Sequence, residues 1–332
     1  MNEPDIEERV KNGRIPKKEE MKYLGTWINE TGNYGINIEK RRQAVERAVK
    51  KVETMAGSDR VGRLSTELKL ELYDKVIGPT MLYNIQVWGR FLKKEIEELE
   101  KAQGSTLKRL LKLPTSTSYW GVLWETGVWP VKDQIMYKKM MLLHNIIRSP
   151  DERMIRKMII EQEQHPIRGS WLENLKKDGE QYGIKVDLEQ IQGKSKKKFK
   201  ELVKSKIKER VEKVMKENQT TKMRTVVENG FGRKNYLTRY DPETVKDIMK
   251  VKLHMVHVNE NFRKEERPCW ICRKEKETTE HVMSECKAIE EMIGEEEPEK
   301  VDIGSIEDDE VEKMVVRYRL IKTLFEKEEN RE

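Results

Sequence analysis

Cysteine is scarce in this chain: there are three, all between Cys269 and Cys286. A secreted disulfide framework needs more of them, in even number and spread out, so an intracellular, reducing location is the better reading. Long apolar runs are missing too. Nothing approaches the roughly 18 consecutive apolar residues of a membrane span, and Met1 to Glu20 is polar, without the apolar core of a secretory signal. Proline (10) and glycine (19) are few and scattered among 332 residues. Apolar residues make up 36% and charged residues 38%, with Lys, Glu, Leu and Met abundant. That balance favours long helices with wide solvated faces over one large globular core, so the expected fold class is mainly α.

The formal net charge is +7, but it is unevenly spread. Lys287 to Glu332 carries 8 basic and 16 acidic residues, a net −8, which leaves +15 on residues 1–286. The basic part is the candidate for a polyanion partner and the acidic tail is not. Charge by itself leaves that partner open, because many solvated helical proteins are basic.

Hydropathy patterning predicts a sequence of helices. Tyr23 to Ile28 reads as a short strand entering a hairpin or loop across the turn-rich stretch Asn29 to Gly35. From Ile38 the period becomes helical, with Val45, Ala48, Val49 and Val52 on one face and Lys40, Arg41, Arg42, Arg47, Lys50 and Lys51 on the other. Gly57 to Gly62 breaks it. A second helix starts near Ser65, with Leu68, Leu72, Tyr73, Val76 and Ile77 apolar, and reaches Pro79. A third spans about Lys94 to Leu113, with Ile96, Leu99, Gln103, Leu107 and Leu110 aligned, and Pro114 stops it. These three helices are expected to share one core.

Tyr119, Trp120, Trp124 and Trp129 then crowd a segment expected to be a loop between helical layers. Anchoring that loop and stacking on bases are both open to them. Helices follow over Val131 to about Arg148 and on to Gln164, before a break at His165-Pro166. Residues 165–235 read as a linker with some helix. Within it, Lys194 to Arg224 holds 13 basic against 4 acidic residues, a net +9. Such a run suits phosphate neutralisation with counterion release, or an ordinary solvated helix with pairs such as Glu209 and Lys213.

The strongest chemical signal is Cys269-Trp270-Ile271-Cys272, then His281 and Cys286, a C-x2-C-x8-H-x4-C pattern that uses every cysteine in the chain. The two-residue gap brings two thiolates to one metal from a tight turn, and the four-residue gap does the same for His281 and Cys286. Three thiolates and one imidazole suit tetrahedral Zn2+, and the complete set points to a structural site without an open position. Trp270 has two readings, stacking on an unpaired base or packing against the metal loop. His254 and His257 are placed on a helix with Val251, Val256 and Val258, packing or hydrogen-bonding and not ligating.

In their order these features resemble the C-terminal part of non-LTR, LINE-type retrotransposon reverse transcriptases. Met21 to Gly25 is similar to the family's F-K-Y-L-G block, Ile38 to Ala48 to I-x-x-R-I-x-x-A, and Leu99 to Leu113 to L-x-x-x-Q-x-x-x-L-R-x-L-L-x-L-P. Tyr73 to Trp88 resembles L-Y-x-x-V-I-x-P-x-L-L-Y-G-x-x-x-W, with Asn84 where the pattern has Gly. Lys252 to Asn261 resembles the approach to the family's CCHC motif, and Thr279 to Val282 fits its T-x-E-H-V histidine. The resemblance implies a polar segment (1–20), the end of a palm with a thumb-like helical bundle after a short β-hairpin (21–114), an aromatic loop and helices (115–164), a basic helical connector (165–250), a small CCHC zinc knuckle (251–290), and an acidic tail with a C-terminal helix (291–332).

The family's polymerase carries an Ala-Asp-Asp motif whose aspartates hold two Mg2+ ions. Residues 1–20 contain no such pair, and Asp308-Asp309 lies in an acidic run read as solvated surface. The expectation is therefore a nucleic-acid-binding fragment that is not an enzyme on its own and has no nuclease domain. Its partner would be an RNA or DNA backbone, with no membrane and no small-molecule substrate. The contacts expected are Arg41, Arg42, Lys108 and Arg109 on the bundle, Lys196, Lys197, Lys198 and Lys200 on the connector, and Trp270 at the knuckle. The family implies a cytoplasmic ribonucleoprotein with nuclear entry. Two other readings remain: a zinc-stabilised protein-interaction module, and the non-catalytic half of a trans-complemented polymerase whose fingers and palm come from another polypeptide.

Overall fold

A computed structural model describes residues 19–29, 34–56, 64–217, 230–256, 258, 267–293 and 308–329. The expected break at Gly57 to Gly62, His257, and the end of the basic run with Lys222 and Arg224 lie outside them. Among the described residues the fold is mainly α, with one two-stranded antiparallel sheet. No described helix is long and apolar enough to cross a membrane.

The sheet pairs β1 (Glu20–Tyr23) with β2 (Thr26–Asn29), so Leu24 and Gly25 form the turn and not the middle of a strand. Both turn residues have positive φ, 45° and 81°, as a two-residue loop between twisted strands requires. A side chain at Gly25 would start 2.8 Å from the Tyr83 ring. Arg41 Nη2 donates to Gly25 O at 3.0 Å and Asn84 Nδ2 to Leu24 O at 3.1 Å, which holds the strained turn down. Asn84 itself sits at φ 54°, in the left-handed region that Gly and Asn tolerate best. Asparagine at this glycine position of the pattern therefore fits its backbone.

Helix α1 (Gly35–Ala56) buries Ile38, Val45, Val49 and Val52 against α3 (Gly78–Met81) and α4 (Lys93–Leu110). Between α2 (Thr66–Leu72) and α3 a π-helical turn, Tyr73–Ile77, shifts the register. Leu70, Tyr73, Ile77 and Met81 go inside, while Leu68 and Val76, expected inside, are 41% and 42% exposed. The α4 face carries a fully buried Gln103. Its Nε2 donates to Tyr73 Oη at 2.9 Å and Trp129 O at 3.0 Å, and its Oε1 accepts from Tyr119 Oη at 2.6 Å. With those partners the amide is satisfied and joins three segments.

The aromatic segment is not a loop. Ser118 caps α5 (Tyr119–Thr126), accepting from Gly121 N at 3.3 Å, and Gly127 ends it at φ 68°. A side chain at Gly127 would collide with the backbone of Arg233, which bridges to Thr126, so only glycine lets that segment approach. Trp124 is wholly buried, and Trp120 and Trp129 pack against the core. Of the two readings of the aromatic cluster, packing is the one the fold adopts.

Helix α6 (Val131–Ile147) is the centre of the molecule, touching α4, α7 (Met154–Gln164), α8 (Trp171–Glu180), α9 (Leu188–Gly193) and α10 (Lys196–Glu217). The stretch expected as a linker is therefore folded onto the bundle. Phe199, Val203, Ile207, Val211 and Met215 of α10, every fourth residue, are all buried. Phe199 stacks on His144 at 4.9 Å, and Arg210 reaches Asp133 of α6 at 2.6 Å. A charge-rich helix had hidden this stripe from a reading based on composition.

Past α11 (Tyr236–Arg239), α12 (Pro242–Lys252) starts at an Asp241 cap and ends earlier than expected. His254 follows it at φ 54°, so it is not helical. It is buried, with Nδ1 3.5 Å from Glu280 Oε1. The chain closes with α13 (Lys287–Ile293) and α14 (Asp308–Glu329).

Candidate metal centre and nucleic-acid interface

Cys269 and Cys272 lie on a tight turn that an isolated bridge between Pro268 and Lys276 closes. Cys269 N donates to Glu275 O at 2.6 Å and Arg273 N to Cys269 O at 2.7 Å. The second pair rides on a π-helical turn, His281–Glu285, which Thr278 starts by accepting from His281 N at 3.0 Å. Cys286 N then donates to His281 O at 2.8 Å. These turns bring one donor atom each from Cys269, Cys272, His281 and Cys286 within 4.8 Å of one another. Tetrahedral zinc, with Zn–S about 2.3 Å and Zn–N about 2.0 Å, separates its ligands by about 3.5–3.8 Å. The cluster can hold a metal ion and its donor set suits zinc.

The imidazole is already oriented. His281 Nε2 faces Cys272 Sγ at 3.3 Å, while Nδ1 faces Glu275 Oε2 at 3.2 Å. A carboxylate behind the ring favours the tautomer that presents Nε2 to the metal. Burial pushes the Cys269 thiol up to about 12 and raises that of Cys286. Burial acts the same way on Cys272, but backbone N–H groups of Lys274 and Glu275 and the His281 ring outweigh it and hold that thiol at about 6. Glu275 was not foreseen: an acidic residue in a charged loop carries no signal of facing a ring nitrogen.

The expected nucleic-acid contacts divide sharply. Arg41 is half-buried, tied to Gly25 O and set 5.1 Å over the Tyr83 ring, and burial lowers its pKa. Arg42 pairs with Glu39 at 3.4 Å and Glu98 at 3.2 Å. Lys108 Nζ donates to Thr115 O at 2.8 Å. Arg109 pairs with Glu46 at 3.0 Å and with both oxygens of Glu53, whose hydrogen bonds raise its pKa. All four meet partners of the protein itself, although Arg42 and Arg109 stay 50% and 40% exposed.

Lys196, Lys197, Lys198 and Lys200 are exposed on α10, and among the described residues none of them forms an ion pair. Lys204, exposed on the same helix, belongs with them. Lys196, Lys200, Lys204 and Lys208 recur every fourth residue and form a ridge beside the buried stripe, with about 6 Å between steps. Of these four, only Lys208 forms an ion pair among the described residues, with Glu212 at 3.8 Å. The four-residue spacing was visible in the sequence; a charge count passes over it. Trp270 meets Phe325 of α14 edge to face at 6.3 Å and is half-buried, so it packs beside the metal loop.

No family model matches the chain, and no curated protein or solved structure is significantly similar to it. The functional reading therefore rests on these residues.

Proposed function

We propose that this chain is a zinc-stabilised, non-catalytic protein that binds RNA or DNA backbones through α10, similar to the C-terminal part of a non-LTR retrotransposon reverse transcriptase. The observation that carries the reading is the exposed lysine group at the start of α10, Lys196, Lys197, Lys198, Lys200 and Lys204, which forms no ion pair among the described residues. The first turn of the helix has three lysines, Lys196 to Lys198, and no acidic residue. Cations at a helix N-terminus oppose the macrodipole, at about 0.3–1 kcal/mol each. A sequence that keeps an unfavourable cluster at a solvent face has a use for its field, and a polyanion is the partner that field attracts. Zn2+ holds Cys269, Cys272, His281 and Cys286 as a structural ion, and binding there supplies folding free energy to a segment with little apolar core of its own.

The reading is tested by fluorescence anisotropy of the zinc-loaded chain with labelled single-stranded RNA and a primer–template duplex across a salt series. Binding with a steep negative salt dependence is expected. Changing Lys196, Lys200 and Lys204 together to Glu should weaken it by about 100-fold at low salt and flatten the logarithmic slope by about 2–3, at roughly 0.7–0.9 per lost phosphate contact. No binding at low salt, or a triple variant that binds like the parent, would sink the proposal.

A protein partner is the second reading. It is favoured by Met154, Ile155 and Met158 on α7, which are 71%, 46% and 49% exposed and neighbour one another on the helix. The hairpin, with Tyr23 58% and Leu24 73% exposed, is the corresponding surface for a separate fingers–palm polypeptide. Salt-insensitive affinity for a protein, with none for RNA, would move the assignment there.

A further inference from the structure

Two of the four metal-ligand candidates sit at the ends of one π-helical turn, and the last carbonyls of a helical turn need donors from elsewhere. Val282 O receives one from α14, while Cys286 O, which already accepts from Ile289 N at 3.0 Å and Glu290 N at 3.2 Å, gains a further one there. Arg317 Nε donates to Val282 O at 3.0 Å and Nη2 to Cys286 O at 3.4 Å. Both terminal nitrogens meet Glu290 Oε1 at 3.4 Å. The side chains of Arg317 and Glu290 are only 7% and 6% exposed. A guanidinium stays charged wherever it is placed, so a buried one demands such acceptors.

The same helix reaches the other half of the cluster. Phe325 packs edge to face on Trp270, which lies between Cys269 and Cys272. Tyr318 and Ile321 of α14 are buried between these two anchors and Met314 and Val315 just before them, and Arg319 ties the helix to Asp247 of α12 at 2.9 Å. One helix thus grips the His281–Cys286 arm by a cation and the Cys269–Cys272 arm by an aromatic ring.

We infer that Arg317 is a positioning residue of the metal centre, and that through it metal binding and the docking of α14 strengthen each other. Arg317 touches no ligand side chain; it fixes the backbone of the arm on which His281 and Cys286 ride. The metal in turn fixes that arm as a platform for Arg317. Linkage is reciprocal, so the factor by which metal tightens the docking of α14 equals the factor by which docking raises metal affinity. The inference rests on the zinc reading above.

The full zinc-loaded chain tests it, by chelator competition for affinity and hydrogen exchange for docking. Arg317→Met should lower zinc affinity by about 10–100-fold, the range of outer-shell residues at such sites, shift the bands of the cobalt-substituted protein, and speed exchange over residues 313–326. Arg317→Lys, which keeps the charge and a donor, should recover part of the affinity. Stripping zinc from the parent should speed exchange over the same residues and leave Val131–Ile147 protected. If Arg317→Met also loses protection in Val131–Ile147 it has misfolded, and Phe325→Ala then reads the same linkage from the other arm. Parent affinity in these variants, or an α14 that stays protected without zinc, would overturn the inference while the zinc centre stands. A parent chain that binds no zinc would overturn both.

Discussion

Two groups of cations that look alike in the sequence differ in the fold. Arg41, Arg42, Lys108 and Arg109 on α1 and α4 meet carbonyls and carboxylates of their own bundle. Lys196, Lys197, Lys198 and Lys200 on α10 stand in solvent. The first group lies between helices that bring Glu46, Glu53 and Glu98 within reach; the second begins a helix where the sequence supplies no acid. The field available to a partner depends on which charges remain uncompensated, and local pairing decides that more than total charge does.

The comparison breaks most severely if α10 is cut loose. Besides its buried stripe it is held by the Asp133–Arg210 pair, where the carboxylate is 1% exposed. Asp133→Ala leaves Arg210 without its partner and should cost about 3–5 kcal/mol, as removing one member of a buried pair does. Urea unfolding measures this. A cost below about 1 kcal/mol would mean that Arg210 finds water as readily as Asp133.

A smaller effect lies at the seam between the two regions. Glu100 of α4 lines a cavity of about 490 Å³ with Trp120, Lys132, Tyr182 and Arg210. Burial first, then repulsion from Asp133 and Glu97, pushes its pKa from 4.5 up to about 7. The folded chain therefore holds this proton more tightly than the unfolded one does. Stability from this group is complete below about pH 4.5 and is lost as the pH rises through about 7. Glu100→Gln should remove that decline and raise the melting temperature at pH 8 by about 2–4 °C. An unchanged pH profile between 5 and 8 would place the carboxyl in ordinary solvent.

The smallest change is the most discriminating. Lys197→Glu puts an anion in the first turn of α10, so it should stabilise the fold by about 0.3–1 kcal/mol while weakening nucleic-acid binding. Arg42→Gln, which removes an ion pair, should do the reverse: slightly lower stability, by at most about 1 kcal/mol, and unchanged affinity. Thermal unfolding and anisotropy on the same two proteins decide. If Arg42→Gln weakens binding more than Lys197→Glu does, the difference drawn between the two regions is wrong.

Much of the helical order was legible from periodicity, because Val45, Val49 and Val52, or Leu99, Leu107 and Leu110, repeat at helical spacing with clear stops. The metal-ligand set was equally legible, since its spacing uses every cysteine. What escaped depends on contacts across sequence distance. The fate of Arg109 is set by Glu46 and Glu53 on another helix, and the place of α10 by its fit to α6. Leu68 and Val76 were misplaced because a π-helical turn resets the phase that a 3.6-residue period assumes. Arg317 has no local signature at all, since its partners lie 27 to 35 positions upstream.

The every-fourth-residue repeat on α10 has a consequence of shape. An α-helix turns about 400° in four residues, so a row at that spacing winds around the axis by about 40° per step. The buried stripe from Phe199 to Met215 winds with it, and so does the lysine row beside it. The positive charge is therefore a spiral band, not a straight rail. A stiff duplex laid along α10 would lose touch with the band after two or three lysines, whereas a flexible single strand could curl with it from end to end.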